Sequence, residues 1–280
     1  MQERLLQWMR ENDRNLPWRG ETDPYKIWVS EIMLQQTRAE AVKPYYARFL
    51  AAFPHVRALA EAPLDAVYKH WEGLGYYSRA RNLHRAAQEI VTKYDGNLPR
   101  TRDALMTLPG IGAYAAGAIA SIAFGERVPA LDGNQARVLS RLYCIDAPLK
   151  SPADLYPLAL SLVPESAPGD YNQALMDLGA LICLPKNPRC EACPLSALCA
   201  AYREGREREL PRKPPKADKQ RERRGVAIVL SGGCALVRRR PETGLLAGLY
   251  EFPNFLDACD AASLTECLEE AGLSVRPGGE

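Results

Sequence analysis

The sequence predicts a mostly helical protein that ends in a smaller α+β segment, and three observations lead to this fold class. Apolar residues recur at three- and four-residue spacing through residues 1–202, as they do on one face of an α-helix. No alternating strand pattern appears before residue 225. Beyond it, two β-branched and apolar runs, Val226–Leu230 and Cys234–Val237, flank a Gly-Gly turn, and a short helix is expected over Leu264–Glu270.

Composition describes a folded chain of one large domain or two ordinary ones, with 280 residues, 47% of them hydrophobic and 25% charged. No window reaches the roughly 18 uncharged apolar residues of a membrane span, and the N-terminus lacks the apolar core of a signal peptide. We therefore expect a soluble cytoplasmic protein without membrane contact. Eight cysteines without a secretion signal favour thiolate chemistry over disulfides.

Helix start signals support the helical part. Asp23-Pro24 places an N-cap before a proline at the first helical position, and Thr101 precedes a segment expected to be helical over 101–107. Residues 203–224 instead predict an exposed linker, because they hold ten Lys or Arg against five Asp or Glu and almost no apolar residue. The expected divisions are therefore 1–202, this linker and 225–280.

The sharpest local pattern is a cluster of four cysteines, Cys183, Cys190, Cys193 and Cys199, separated by six, two and five residues. Zinc sites usually pair their ligands as two C-x-x-C knuckles, whereas only one such pair occurs here and no histidine is near. Four thiolates in one compact loop suit the corners of an iron–sulfur cubane. On spacing alone, zinc stays an alternative.

A second pattern is the turn Leu108–Gly112, between the 101–107 helix and a small-residue helix expected over Tyr114–Phe124. Two glycines at this spacing, Gly110 and Gly112, expose backbone N–H groups at a helix N-terminus, where a phosphate can bind without side chains. A helix–helix corner with a purely structural role would show the same sequence pattern. Asp132 follows as the expected N-cap of the next helix, whose dipole would help to keep it ionised.

Together the turn, the later aspartate and the C-x6-C-x2-C-x5-C loop resemble the helix–hairpin–helix DNA glycosylases that carry a 4Fe–4S cluster. The resemblance spans nearly all of residues 1–202 and favours the cluster over zinc. It implies a six-helix barrel domain over about 24–130 and a cluster domain formed by 1–23 with 131–202. It also implies that the hairpin binds the DNA backbone and that Asp132 supports cleavage of the base–sugar bond.

Three features are similar to the adenine DNA glycosylases of the MutY type. Tyr114 occupies the place where the endonuclease III-like branch has a lysine, so the covalent amine route is closed. The segments Trp28–Thr37, Gly73–Tyr77 and Leu131–Asn134 resemble those of the adenine-specific family. The resemblance implies hydrolysis without strand cleavage.

The residues around Glu31 fit an acid. Its neighbours on a helix would be Ile27, Trp28, Leu34 and Gln35, which are mostly apolar. Such surroundings disfavour the charged form and should raise the pKa of Glu31, as a general acid requires. Adenine leaves poorly as an anion, so a ring nitrogen must be protonated as the bond breaks. Without the other motifs, a solvated helix carboxylate would be the simpler interpretation.

The resemblance assigns the remaining roles. Glu31 would protonate adenine N7, and Asp132 would stabilise the cationic sugar with help from Tyr114 and Asn134. Two groups would bind the substrate: Gln36 and Tyr76 would enter the base stack, and Arg14, Trp18, Arg19 and Gln173 would line the adenine pocket. These residue types suit a flipped base, which stacks on aromatic rings and is read by amides and guanidinium groups. Core packing is the alternative for Trp18 and Tyr76, and solvated surface charge for Arg14 and Arg19.

The C-terminal segment 238–255 resembles the start of a Nudix-like domain that reads 8-oxoguanine. Thr265, Asp257 and Glu251 replace the Arg, Glu and Gly of the hydrolase motif, so metal-dependent pyrophosphate hydrolysis is not expected. The family's later Phe-Ser-His loop does not occur before Glu280. We therefore expect a partial Nudix-like domain.

The expected function is removal of adenine opposite 8-oxoguanine or guanine in duplex DNA, by a monomer of bacterial type that contains a 4Fe–4S cluster. Two alternatives stay open. A related cluster glycosylase would act on thymine opposite guanine, and would have less need of an acid at Glu31. A non-catalytic iron–sulfur module would bind DNA without releasing a base.

Overall fold

The computed structural model describes residues 1–212, 214, 221–241, 243–244, 246, 248–258 and 260–278. Part of the predicted linker, three residues of the 238–255 segment and Cys259 therefore lie outside the described residues. The chain divides into two compact units, Met1–Pro214 and Pro215–Glu280. In the part of the chain that the structure describes, no helix is both long and apolar enough to cross a bilayer.

The first unit is helical throughout its described residues, as the apolar spacing predicts. Single 3-10 turns occur at Pro152–Leu155, Cys190–Ala192 and Ser196–Leu198. The α-helices are α1 (Gln2–Glu11), α2 (Pro24–Leu34), α3 (Ala39–Ala52), α4 (Val56–Glu61), α5 (Leu64–Trp71), α6 (Ser78–Tyr94), α7 (Arg102–Leu105), α8 (Ala113–Phe124), α9 (Gly133–Leu142), α10 (Tyr156–Leu162), α11 (Pro168–Leu181) and α12 (Ala200–Arg203).

The predicted helix starts are present, but one helix is shorter than expected. Asp23 Oδ1 accepts a hydrogen bond from the Tyr25 N–H at 2.9 Å, and Thr101 Oγ1 accepts one from Ala104 at 3.3 Å. The helix expected over 101–107 ends at Leu105. Its continuation tightens into three-residue turns, in which the Leu108 N–H bonds the Leu105 carbonyl at 3.1 Å, because the chain is entering the Pro-Gly turn.

Two apolar cores stabilise this unit. The first is built on α2 to α8 and contains Trp28, Phe49, Trp71 and Ile119, none of them exposed. The second is built on α1, α9, α10 and α11 with the cysteine loop. Leu16 and Trp18 belong to the first core, although the sequence groups residues 1–23 with the cluster region.

The first part of the predicted linker is docked on the helical unit, although many of its side chains are exposed, as predicted. Residues 204–212, which we call the strap, lie on the helical unit. Leu210 is 2% exposed, and its carbonyl accepts a 2.9 Å hydrogen bond from Arg141 Nε. The Leu149 N–H donates to the Arg212 carbonyl at 3.0 Å. Arg206 and Arg212 also pair with Asp146. Composition does not predict this docking, because it depends on one buried leucine, backbone hydrogen bonds and a carboxylate far along the chain.

The second unit contains short antiparallel pairs and one helix. The predicted continuous strand Val226–Leu230 is wrong: it divides between two different pairings, and its apolar side chains stay largely exposed. So short a segment has little core to bury them. The elements are β1 (Arg224–Val226) paired with β6 (Asn254–Leu256), β2 (Leu230–Ser231) with β3 (Cys234–Ala235), β4 (Arg238–Arg239) with β5 (Tyr250–Glu251), and α13 (Ala261–Glu270).

Candidate active site

Glu31 lies in the middle of α2, whose buried surface includes residues on every side of the helix. The carboxylate is 5% exposed and accepts a hydrogen bond on Oε2 from the Tyr114 hydroxyl at 2.9 Å. The pKa of Glu31 is raised from 4.5 to about 7, chiefly by burial. The negative charge of Asp132 contributes to this rise, while the Tyr114 hydrogen bond and the Arg19 charge oppose it. The predicted rise of this pKa is confirmed, and near neutral pH Glu31 can give up a proton.

Tyr114 stands on the first turn of α8 and stays protonated. Burial and the negative charges of Glu31 and Asp132 raise its pKa well above that of a free phenol. Besides Glu31, its hydroxyl lies 3.2 Å from Met176 Sδ. A neutral phenol in this place donates to the carboxylate and offers no nucleophile, as the sequence predicts from the missing lysine.

Asp132 caps α9, with Oδ1 accepting from the Gln135 N–H at 2.7 Å. Burial raises its pKa from 3.8, against the lowering effect of backbone N–H groups of Gln135 and Asn134. The N-terminal N–H groups of α9 favour the ionised form, as expected, but desolvation outweighs them and the net shift of this pKa is upward. Two carboxyl groups of raised pKa thus interact electrostatically in one site.

Asn134 is connected to the cysteine loop through Arg137, which sequence reasoning missed. Arg137 Nη2 donates to Asn134 Oδ1 and to the Gly179 carbonyl, both at 2.8 Å. Its Nε donates to the Cys183 carbonyl at 2.8 Å. One signal was available: residues 134 and 137 are three apart, so they share a helix face.

Arg14 and Arg19 converge on a buried carboxylate, Asp177, that the sequence analysis did not identify, and Arg19 also bonds Gln173. Arg14 Nη1 lies 3.1 Å from Asp177 Oδ1, and Arg19 pairs with Oδ2 of the same residue and with Gln173 Oε1. Asp177 is 5% exposed. Both arginines are thus fixed by a buried partner, which argues against their being solvated surface charges.

Core packing was the alternative for Trp18 and Tyr76, and the two residues differ in their exposure. Trp18 is 8% exposed and packs edge-on against Tyr46, with ring centroids 5.4 Å apart, so it belongs to the core. Tyr76 is 59% exposed. Gln36, exposed as well, lines the same pocket as Tyr76 and the hairpin residues Pro109 and Gly110.

The hairpin Leu108–Gly112 joins α7 to α8. Gly110 has φ +77°, and an added Cβ would stand 2.7 Å from Asn82 Cβ, so this turn needs glycine. Gly112 is the exposed N-cap of α8, whose N-terminal N–H groups have no side-chain cap. That N-terminus is therefore open to an anion.

The four predicted cysteines border one cavity, which Arg141, Leu195 and Glu207 also line. Burial raises the pKa of Cys193 to about 11, and the other three thiols raise it further, so all four interact. Among the described residues, no three His, Cys, Asp or Glu side chains converge on a single metal ion. Sulfur donors around a cavity fit a polynuclear cluster.

Comparison with known proteins identifies both regions. Residues 29–164 match the HhH-GPD superfamily of base excision DNA repair proteins, and residues 183–199 match the iron–sulfur binding domain of endonuclease III. The cofactor of this chain is a 4Fe–4S cluster.

Relatives named adenine DNA glycosylase align along most of the chain. The Arabidopsis thaliana protein is 40% identical over 93% of this chain and 48% of its own length. The human protein is 36% identical over 89% and 56%, and that of Buchnera aphidicola from Baizongia pistaciae is 37% identical over 92% and 75%. The chain thus spans about half the length of the plant and human relatives.

Solved structures confirm the helical fold. A thermostable thymine-DNA glycosylase superposes with a TM-score of 0.66 at 33% identity, covering 72% of this chain and 95% of the other. Endonuclease III in a non-covalent DNA complex superposes with a TM-score of 0.62 at 22% identity, covering 73% and 94%. The chain belongs to the adenine DNA glycosylase family of the HhH-GPD base excision DNA repair superfamily.

Proposed function

We propose that the chain removes adenine mispaired with 8-oxoguanine or guanine from duplex DNA by hydrolysing its N-glycosidic bond. The observation that carries the proposal is Glu31, a buried carboxyl group with a pKa near 7 that is hydrogen-bonded to Tyr114 and electrostatically coupled to Asp132. Two carboxyl groups with different environments are the arrangement that divides acid and charge-stabilising work. The family relationship supports adenine as the base.

In this reaction Glu31 gives its proton to adenine N7 as the C1′–N9 bond breaks, so adenine leaves neutral. Ionised Asp132 stabilises the positive charge that develops on the sugar. Water then adds to C1′ and releases a proton, which restores Glu31, and the products are adenine and an abasic site. Tyr114 and Asn134 position the two carboxyl groups through the hydrogen bonds described above.

Recognition of the duplex is assigned to three surfaces. The open N-terminus of α8, with Gly110 and Gly112, binds backbone phosphate. Gln36 and Tyr76 enter the stack while the adenine is extruded, since an exposed ring can stack in place of a base. Arg14 and Arg19, fixed by Asp177, read the edge of the extruded base together with Gln173. Trp18 lines the same pocket from the core. Residues 225–280 are assigned to a Nudix-like domain, which the short antiparallel pairs and α13 support.

A second candidate function is release of thymine opposite guanine, which the 33% identity to a thymine-DNA glycosylase favours. Glu31 discriminates between the two reactions. Thymine carries no N7 to protonate, so a buried acid of pKa near 7 in this place is more useful to adenine release.

A single-turnover assay on four duplexes tests both candidates: adenine opposite 8-oxoguanine, adenine opposite guanine, thymine opposite guanine and an undamaged control. We expect adenine loss, with strand breaks appearing only after alkali. Thymine loss without adenine loss would instead assign the chain the second candidate function, release of thymine opposite guanine. Binding without any base release would leave a non-catalytic iron–sulfur module.

Cys183, Cys190, Cys193 and Cys199 are proposed as the cluster ligands, and Cys193→Ser is expected to lower the iron and sulfide content per chain. The cluster organises its loop and takes no electron from a hydrolytic reaction. Iron analysis and the visible absorption spectrum of the purified chain provide the measurement. Cys144→Ser is the matched control, because Cys144 is a half-buried thiol hydrogen-bonded to Glu204 and does not border the cavity. Equal iron loss in both variants would contradict the assignment.

A further inference from the structure

Arg79 is a buried arginine on the first turn of α6, 8% exposed, that belongs to neither the carboxyl pair nor the adenine pocket. Its terminal nitrogens Nη1 and Nη2 share six acceptors within hydrogen-bond distance, and every acceptor lies in one of two turns or at the end of α2. Nε is buried and has no partner among the described residues. Burying a guanidinium group is costly unless its donors are satisfied. So many partners around one buried cation indicate a defined task.

The first set of acceptors belongs to the end of α2 and the turn that follows it. Arg79 Nη1 donates to the carbonyls of Ile32, Met33 and Gln35, at 3.1, 2.8 and 2.6 Å. Nη2 donates to Thr37 Oγ1 at 3.2 Å. These carbonyls include the unpaired ones at a helix C-terminus, where a positive charge is favourable. Gln36 stands between two of the bonded residues.

The second set belongs to the turn that precedes Tyr76. Nη2 also donates to the carbonyls of Leu74 and Gly75, at 3.3 and 3.2 Å. The guanidinium carbon lies 5.2 Å from the centroid of the Tyr76 ring and 5.4 Å from that of Trp71. A cation at this distance over an aromatic ring attracts it. One group thus contacts both turns and the ring itself.

In each of the two turns, the exposed side chain belongs to a residue with a strained backbone conformation. Gln36 has φ +58° and Tyr76 has φ +50°, in the left-handed region that residues other than glycine seldom adopt. Such conformations persist only where the surroundings hold them. Arg79 bonds residues on both sides of Gln36 and the residue directly before Tyr76, so it supplies that support at both points.

We propose that Arg79 is a positioning residue that fixes the spacing of these two turns, so that Gln36 and Tyr76 enter the base stack as one unit. The proposal rests on the proposed function, which assigns both side chains to the stack. Lysine keeps the charge at this position but has three donors on a single nitrogen and no planar fork. It cannot bridge the two turns at once.

The experiment compares Arg79→Lys with the full chain, using 2-aminopurine beside the target adenine as a fluorescent reporter of unstacking. We expect Arg79→Lys to reduce both the unstacking signal and single-turnover release by about tenfold or more. In the double variant Gln36→Ala/Tyr76→Leu, Arg79→Lys should lower the unstacking signal by less than about twofold, because the two side chains that Arg79 positions are already removed. Arg48→Lys is the control: Arg48 also contacts a tyrosine ring, that of Tyr45 at 4.8 Å, but its side chain bonds His70.

A second measurement leaves Arg79 in place, in case its variant does not fold. Gln36→Ala and Tyr76→Leu change exposed side chains, and if the two act as one unit their effects on unstacking are non-additive by about threefold or more. Additive effects, or a full cost of Arg79→Lys in the double variant, would overturn the proposal. The fluorescence does not depend on base release. If the chain unstacks the duplex but releases no adenine, the proposed function is contradicted while the role of Arg79 stands.

Discussion

Replacing Glu31 with glutamine is expected to lower single-turnover adenine release by roughly 10²- to 10⁴-fold, the usual contribution of a general acid. Glutamine fills the same space and can still accept the Tyr114 hydrogen bond, but it has no proton to give. The effect is measured as the rate constant for adenine loss at saturating enzyme. Glu89→Gln, at a helix carboxylate paired with Lys93, serves as the control and should leave the rate unchanged.

The same variant should gain stability at alkaline pH. The pKa of Glu31 is raised from 4.5 to about 7 in the folded chain, so above pH 7 folding must bury a charge at a cost of roughly 3 kcal/mol. This penalty is absent below pH 4.5, grows as the pH rises from 4.5 to about 7, and is constant at higher pH. The thermal unfolding temperature of Glu31→Gln should therefore be higher than that of the wild type by about 5–10 °C at pH 8. At pH 5.5 the difference should be smaller. A variant of equal activity, or one destabilised at pH 8, would contradict the role of Glu31.

Replacing Asp132 with asparagine is expected to lower adenine release by about 10²- to 10³-fold or more, since it removes the charge that faces the developing cation. Asparagine caps a helix as well as aspartate does, so α9 should be intact. Because burial raises the pKa of Asp132, removing its charge should leave the unfolding temperature at neutral pH the same or higher. Asp260→Asn makes the same change at the cap of α13 and should leave catalysis alone. Full activity of Asp132→Asn would eliminate the assigned role.

The pH profile provides a separate check on Asp132. Wild type needs Asp132 ionised and Glu31 protonated, so its rate should fall at acid pH through the raised pKa of Asp132 and at alkaline pH through a pKa near 7. The Asp132 charge itself raises the pKa of Glu31. In the residual activity of Asp132→Asn, the alkaline limb should therefore move to lower pH. An unmoved limb would show that the two carboxyl groups are not coupled.

Much of the helical unit follows from local patterns in the sequence. The N-caps Asp23, Thr101 and Asp132 are each determined by a side chain within a few residues of the backbone group it bonds. The raised pKa of Glu31 is also predictable, because its apolar neighbours are on the same helix. Local patterns work where the physical cause is local.

What escapes prediction depends on contacts between distant segments. Asp177 holds Arg14 and Arg19 across more than 150 residues of sequence. Most of the acceptors of Arg79 and Arg137 are backbone carbonyls, which every residue carries, so side-chain patterns do not mark them. The burial that raises the pKa of Asp132 is likewise absent from the sequence analysis, since an N-cap pattern carries no information about solvent access. The broken strand Val226–Leu230 shows that β-branched runs need a partner surface to stay continuous.

The docked strap determines where the catalytic unit can be shortened. An expression fragment that stops at residue 202, where composition places the end of the helices, would uncover the site of Leu210 and leave the buried Arg141 Nε without its acceptor. Arg141 also donates to Cys183 Sγ and to the Leu184 and Pro185 carbonyls, so the damage would reach the loop that holds the iron. A fragment ending at residue 214 keeps all of these bonds. In limited proteolysis, the resistant product should likewise retain the strap.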